Sequence, residues 1–322
     1  MKYTTRNETK RKFPFGLILV LLSLAFIVLA GISLNKIRSG QPGFMTNLWA
    51  PNPNPEPDPY LDNNPIALDM PTGVTNILLL GSDEQVDIGF RTDVMLLLSL
   101  NTKTSQFSLF SFPRDLWVNI PGIGEQRLNT AFPFGGFQLL SDTLALNFGF
   151  RPDHYAMVDF NGFKEIIDVL GGVDVEITKL SEDECFSNDV RWCVWEPGTW
   201  TMTSDEALWY IRARKNSSDF ERTRKAQEVV KAMVEKALRP SQLPDLGKVV
   251  SALYRNVESD MKITDGLLYV FPISKFFGGS DVSNYRITES DAVPGMTSGG
   301  ASVLFPNIPS IQIVLKQALW IE

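Results

Sequence analysis

The sequence predicts an α/β layered domain carried behind one N-terminal transmembrane helix. Three observations lead there. A run of 20 uncharged residues lies near the N-terminus, three apolar strand-like runs follow one another within 76–115, and strands alternate with helices across 154–177.

Residues 1–14 form a basic tail with Lys2, Arg6, Lys10, Arg11 and Lys12. Residues 15–34, "FGLILVLLSLAFIVLAGISL", carry no charge. At about 1.5 Å per residue, a helix of that length crosses a hydrocarbon core of about 30 Å. Positive residues stay inside, so the tail is expected in the cytoplasm and the remainder outside the cell membrane, behind a single-pass anchor. A cleaved signal peptide is the alternative, but the run is long for one and no small-x-small cleavage site follows. Residues 35–73 are expected to be a proline-rich extracytoplasmic linker, with Pro51, Pro53, Pro55, Pro57 and Pro59 at alternate positions. Residues 74–322 then form the domain.

Residues 1–40 hold seven Lys/Arg and one Glu, a net of +6, against −7 for the chain, so residues 41–322 carry −13. An acidic exported part argues against nucleic acid as a partner. With one histidine and two cysteines in the chain, a zinc site is not expected. Cys185 and Cys193, eight positions apart, suggest a disulfide worth about 2.5 kcal/mol by loop entropy. Two separate buried thiols are the other reading.

The strand candidates are "NILLLGSD" (76–83), "VMLLLSL" (94–100) and "QFSLFSFPRD" (106–115). Their connections are too short for parallel crossovers, so both pairs are expected to be antiparallel. In such a meander the end of the first strand, the start of the second and the end of the third share one edge. Asp83, Arg91, Asp93, Arg114 and Asp115 therefore gather at one mouth, as salt bridges plugging a sheet end or as a site for a ligand.

Further along, helices are expected over 135–150 and 161–172, and strands over 154–160 and 173–177. His154, at a strand start, reads as structural. Thr203 with Glu206, and Ser218 with Glu221, are spaced as capping boxes for a short helix and a longer one ended by Pro240. Arg212, Arg214, Arg222 and Arg224 surround the start of the longer helix. Cations there oppose the macrodipole unless an anion joins them; a solvated basic face is the alternative. Residues 241–322 read as helices near 245–257 and 309–319 with a strand at 283–289, completing the same domain.

The segments "LLLGSD", "FRTDVMLLLSLN", "SFPRDLWV", "RLNTAF", "HYAMVDFNGFKEIIDVLGGVDV" and "ALWYIRARKNSSDFERTRKAQ", in that order across 76–237, resemble the LytR-CpsA-Psr family of cell-wall glycopolymer ligases. The resemblance implies an α-β-α sandwich with a mixed central sheet and a deep apolar pocket for a polyprenyl chain. It also implies Mg2+-assisted transfer of a glycan phosphate from a polyprenyl-pyrophosphate carrier to a cell-wall acceptor, commonly peptidoglycan. Alternatives are a non-catalytic polyprenyl-phosphate-binding regulator and a polyprenyl-glycan pyrophosphatase.

By the same resemblance, Asp83 and Asp93 match metal-associated acids; on chemical grounds Asp93 is the first candidate for a general base, a duty that competes with metal ligation. Arg91, Arg114, Arg212 and Arg214 match arginines that hold the pyrophosphate. Arg127, Asn129, Arg222 and Gln227 match further pyrophosphate-binding positions, with Arg127 standing for a usual Lys. Glu221, Lys225 and Ala226 depart from a common Gly, Arg and Gln, and a Cys185–Cys193 insertion is not general to the family.

Overall fold

The computed structural model describes residues 67–85, 89–185, 192–215, 218–237, 239, 241–242, 246–261 and 282–321. The expected cytoplasmic tail, transmembrane helix and linker up to residue 66 lie outside the described residues. Among those described, no helix is long and apolar enough to cross a membrane.

The chain begins with β1 (Val74–Gln85), β2 (Gly89–Asn101) and β3 (Gln106–Phe112). A hairpin, β4 (Trp117–Ile120) and β5 (Gly124–Arg127), leads through a tight turn at Leu128–Thr130 into α1 (Ala131–Phe148). Then come β6 (His154–Val158), α2 (Phe160–Val169) and β7 (Val173–Ile177). A second hairpin, β8 (Ser181–Asp183) and β9 (Cys193–Trp195), precedes β10 (Gly198–Met202). Three helices follow, α3 (Ser204–Arg212), α4 (Asp219–Ala237) and α5 (Leu246–Asn256). The chain closes with β11 (Val257–Ser259), β12 (Val282–Arg286), β13 (Ala292–Met296), β14 (Ser302–Pro306) and α6 (Ile308–Ala318).

Six strands form the central sheet in the order β11-β6-β1-β2-β3-β12. The β1–β2 and β2–β3 pairs are antiparallel, as their short connections require. β6 runs parallel to β1, and β12 parallel to β3, so the sheet is mixed.

Alternation sorts the strand side chains into two layers. Leu78, Leu80, Met95, Leu97, Phe110 and Phe112 pack on one face with Leu140, Leu144, Ile311 and Leu315 from α1 and α6. Ile77, Phe107 and Leu109 face the opposite side, against Val230 and Val234 of α4. A third cluster joins α2, α3, α4 and α5 to β7. The architecture is an α-β-α sandwich.

Several boundaries differ from the sequence reading. Residues 67–73, expected in the linker, dock on the domain: Leu68 is buried and its N–H donates to the Gly149 carbonyl at 2.8 Å. α1 starts four residues earlier than expected, because a first turn precedes a bend at Gly135 and Gly136, where Gly136 takes φ +64°. β1 and β2 run longer, carrying their ladder out through Gln85 and Gly89.

Thr203 caps α3 in a full capping box: Thr203 N–H donates to Glu206 Oε2 at 2.8 Å, and Glu206 N–H to Thr203 Oγ1 at 3.4 Å. At α4, Glu221 N–H donates to Ser218 Oγ, while the Glu221 carboxylate accepts from Lys179 and Arg224.

Leu97 lies fully buried on the central strand β2. Leu97→Ala is expected to lower unfolding stability by about 2–5 kcal/mol, read as a drop in denaturation midpoint at unchanged slope.

Candidate anion-binding site

The register shows why charges meet at one sheet edge. Gly81 pairs with Val94, but Ser82 pairs with Thr92, so Asp93 is an extra residue in β2, a β-bulge. The bulge aims Asp93 into a cavity at the end of the sheet. There the Asp93 carboxylate forms an ion pair with Arg114, just beyond β3.

Asp115 is the hub behind that pair. Its carboxylate lies 3.3 Å from Arg114 Nε, 3.2 Å from Arg127 Nε and 3.6 Å from Arg222 Nη2. Arg222 also pairs with Asp219 on its own helix. Burial alone would lower the Arg114 pKa, but Asp93 and Asp115 outweigh it and carry it up. For Arg222, burial and repulsion from Arg114 win over Asp115, and its pKa falls.

Arg212 ends α3 and lies over the Phe160 ring, 4.9 Å from the centroid. Arg214 follows at the same rim, and among the described residues no carboxylate pairs with its guanidinium. The chamber these groups line has a volume of ≈ 500 Å³. Four arginines face it (Arg114, Arg212, Arg214 and Arg222), with three aspartates (Asp93, Asp183 and Asp219).

A second cavity of ≈ 440 Å³ extends from the first between the sheet and α2, α4 and α5. Its walls are apolar: Leu79, Leu98, Phe163, Val230, Met233 and Val249 are among them. The two share Asp93, Val94, Leu96, Phe160, Ile211 and Ala226, so the charged chamber is continuous with a greasy slot.

Of the residues expected to bind an anion, Asp93, Arg114, Arg212, Arg214 and Arg222 come together here. Asp83 and Arg91 are cross-strand partners at the same mouth by backbone register; their side chains lie outside the described residues. Arg127, Asn129 and Gln227 do not line the chamber. Arg127 braces Asp115 and donates to the Ser302 carbonyl at 2.8 Å. Asn129 acts through its backbone, accepting from Thr92 Oγ1 and donating to the Arg114 carbonyl, each at 3.1 Å. Gln227 is turned into the sheet, where its amide donates to the carbonyls of Leu109 and Tyr285 at 2.9 and 2.8 Å.

Arg224, grouped with the other arginines by sequence, faces away. It is 2 % exposed and bonds Glu221, Glu228 and Thr178. Asp183 and Asp219 escaped the sequence reading; Asp219 had a signal, three positions before Arg222 on a helix start, whereas Asp183 had none. His154 pairs with Ile77 at the far end of β1, away from the chamber. Cys185 and Cys193 are bonded to each other.

Among the described residues no cluster of three acidic, histidine or cysteine side chains is placed to hold a metal ion. Of the two acids expected to hold a metal, the one whose side chain is described is Asp93, a hard carboxylate donor. It fits a cation that draws its other ligands from phosphate oxygens and water, as magnesium does.

Comparison with known proteins decides the family. A model of the LytR_cpsA_psr family matches residues 55–318. The chain belongs to the LytR-CpsA-Psr family. It is 32 % identical over 266 residues to the polyisoprenyl-teichoic acid–peptidoglycan teichoic acid transferase TagU of Oceanobacillus iheyensis, covering 80 % of this chain and 79 % of that protein. It is 30 % identical over 199 residues to the transferase TagT of Bacillus subtilis, covering 60 % of this chain and 62 % of that one. In structure it resembles B. subtilis TagV, with a TM-score of 0.64 at 24 % identity over 79 % of this chain and all of that one. A TagT structure described as bound to LIIa-WTA aligns with a TM-score of 0.60 at 23 % identity, over 77 % of this chain and 92 % of that one.

Since Gln227 ties α4 to the sheet, Gln227→Met is expected to cost about 2 kcal/mol of unfolding stability, one buried hydrogen bond at each carbonyl. Calorimetric titration with inorganic pyrophosphate should show its affinity unchanged.

Proposed function

We propose that this chain is a membrane-anchored phosphotransferase. It moves a glycopolymer phosphate from a polyprenyl-pyrophosphate carrier to a cell-wall hydroxyl, with peptidoglycan the favoured acceptor. One observation carries the reading: an arginine-lined chamber opens directly into an apolar slot, so one ligand with a diphosphate head and a hydrocarbon tail fills both. Family membership and the transferase names of the relatives support it.

The tail lies between α4 and the sheet, where burying it removes apolar surface from water. The diphosphate meets Arg114, Arg212, Arg214 and Arg222, whose planar forks match phosphate oxygens in pairs. The acceptor oxygen attacks the glycan-side phosphorus in line. The bond from that phosphorus to the bridging oxygen breaks, and polyprenyl phosphate leaves with the electron pair. Guanidinium groups held in place before the reaction offset the charge that develops. Asp93, at the junction of head and tail sites, takes the acceptor's hydroxyl proton. Asp83 and Asp93 would hold Mg2+, which would supply additional positive charge at the phosphates. The anchor is residues 15–34, leaving the catalytic domain outside the cell membrane.

The test is transfer by the full-length protein, with a polyprenyl-pyrophosphate-linked glycan as donor and peptidoglycan as acceptor. Polyprenyl phosphate should accumulate only with acceptor present. Release with water alone would make the protein a pyrophosphatase, and binding without turnover would make it a regulator. Arg114→Ala is expected to weaken carrier binding by about 2 kcal/mol, some 30-fold.

A further inference from the structure

The peptide between Ala213 and Arg214 is held at both ends. Its carbonyl accepts from Lys225 Nζ at 3.0 Å, and its N–H donates to Asp183 Oδ2 at 2.5 Å. The next N–H, of Lys215, donates to the same Asp183 oxygen at 3.2 Å. The Ala213–Arg214 peptide is the second of the two peptide planes between the chamber arginines Arg212, which ends α3, and Arg214, just beyond it.

Neither holder is an incidental neighbour. Lys225 is 2 % exposed, lies with its ammonium 5.7 Å from the Tyr210 ring centroid, and pairs with no carboxylate among the described residues. Burying an ammonium with so little compensation is costly, so packing alone does not account for it. Asp183 stands opposite Cys193 in the β8–β9 hairpin, which the Cys185–Cys193 bond closes. That hairpin is docked on α3 and its following loop. Trp209 Nε1 donates to the Glu184 carbonyl at 2.7 Å, and Lys215 Nζ lies 3.6 Å over the Trp192 ring.

We propose that Asp183 and Lys225 are positioning residues for anion binding: they clamp the Ala213–Arg214 peptide from hairpin and helix, and so set the spread of the Arg212 and Arg214 guanidinium groups across the chamber. This rests on the reading of the chamber as a diphosphate site. Arginine forks grip a diphosphate strongly only when held before it arrives. A peptide fixed at its oxygen and its nitrogen cannot rotate about the torsions on either side. Freed at either end, it lets the two guanidinium groups diverge.

The clamp carries a pH signature. Burial, then repulsion from Arg224, pushes the Lys225 ammonium down to about 8, against opposing pulls from Glu221, Asp183 and Glu228. Asp183 is shifted the other way: burial would raise it, but the N–H groups of Arg214, Glu184 and Lys215 together carry it below the usual carboxylate range. As pH rises through about 8 the charge on Lys225 is lost and its bond to the Ala213 carbonyl weakens. Stability moves oppositely. The folded pKa lies below the ordinary 10.5, so the unfolded chain holds the proton more tightly between those values, and this group's contribution to stability rises with pH there.

The experiment is calorimetric titration of the full-length protein in detergent with farnesyl diphosphate, from pH 7 to 9.5, with thermal melts in parallel. Wild-type affinity should fall several-fold above about pH 8 while the melting temperature does not. Asp183→Asn and Lys225→Met should each weaken binding 10-fold or more at pH 7. Lys225→Arg, a cation that stays charged, should restore most of the affinity and hold it level to pH 9.5; this arm stands even where the Met variant does not fold. Equal affinity in wild type, Asp183→Asn and Lys225→Met, or an alkaline fall retained by Lys225→Arg, would overturn the clamp alone. No binding by the wild type would instead remove the diphosphate reading on which the clamp rests.

Discussion

Asp93 faces Arg114 because β2 carries one more residue than β1 at this point. Strict alternation would put Asp93 on the same face as Met95 and Leu97, in the core beneath α1 and α6. The bulge opposite Gly81 reverses the parity, so Asp93 joins Val94 and Leu96 along the cavity. Thr92 is turned the other way, and its hydroxyl bonds the Asn129 carbonyl near the buried Leu128. Without the extra residue, a carboxylate would be buried among aromatic and aliphatic side chains, and Arg114 would lose its strongest partner.

That pair also shapes the electrostatics of the chamber. Arg114 is stabilised in its charged form by two aspartates, whereas burial first, and then repulsion from Arg114, lowers the Arg222 pKa against the pull of Asp115. The buried Arg222 guanidinium is therefore not fully compensated by the carboxylates beside it. A ligand with several anionic oxygens replaces that repulsion with attraction. This is a stronger argument for an anion than the number of arginines, since paired arginines at a sheet edge need no ligand.

Much of this was legible in the chain. Loop lengths alone required the antiparallel meander, and the meander required Asp93, Arg114 and Asp115 to meet. Thr203 and Glu206 announced α3 by spacing. What escaped depends on local geometry that spacing does not encode. A bulge adds no residue type that marks it. Arg222 and Arg224, two apart, point to different sides of α4, so only one reaches the chamber. Gln227 looks equally suited to bind a phosphate or to cap sheet carbonyls, and its place on the side of α4 packed against β3 and β12 decides for the carbonyls. Asp183 reaches the site only because the β8–β9 hairpin folds back on the end of α3.

α4 gathers these threads because its positions divide by helical angle. Arg222, Ala226, Val230, Met233, Val234 and Ala237 recur at intervals of three and four and share one face. Along that stripe the environment changes from guanidinium to methyl over roughly 22 Å, at 1.5 Å per residue. The charged end is also the helix N-terminus, where the macrodipole favours an anion and disfavours the arginine beside it. An anion at that end satisfies both. A ligand with one ionic end and one hydrocarbon end can lie along this face in a single direction only, with its ionic end at the side of the cavity that holds Asp93.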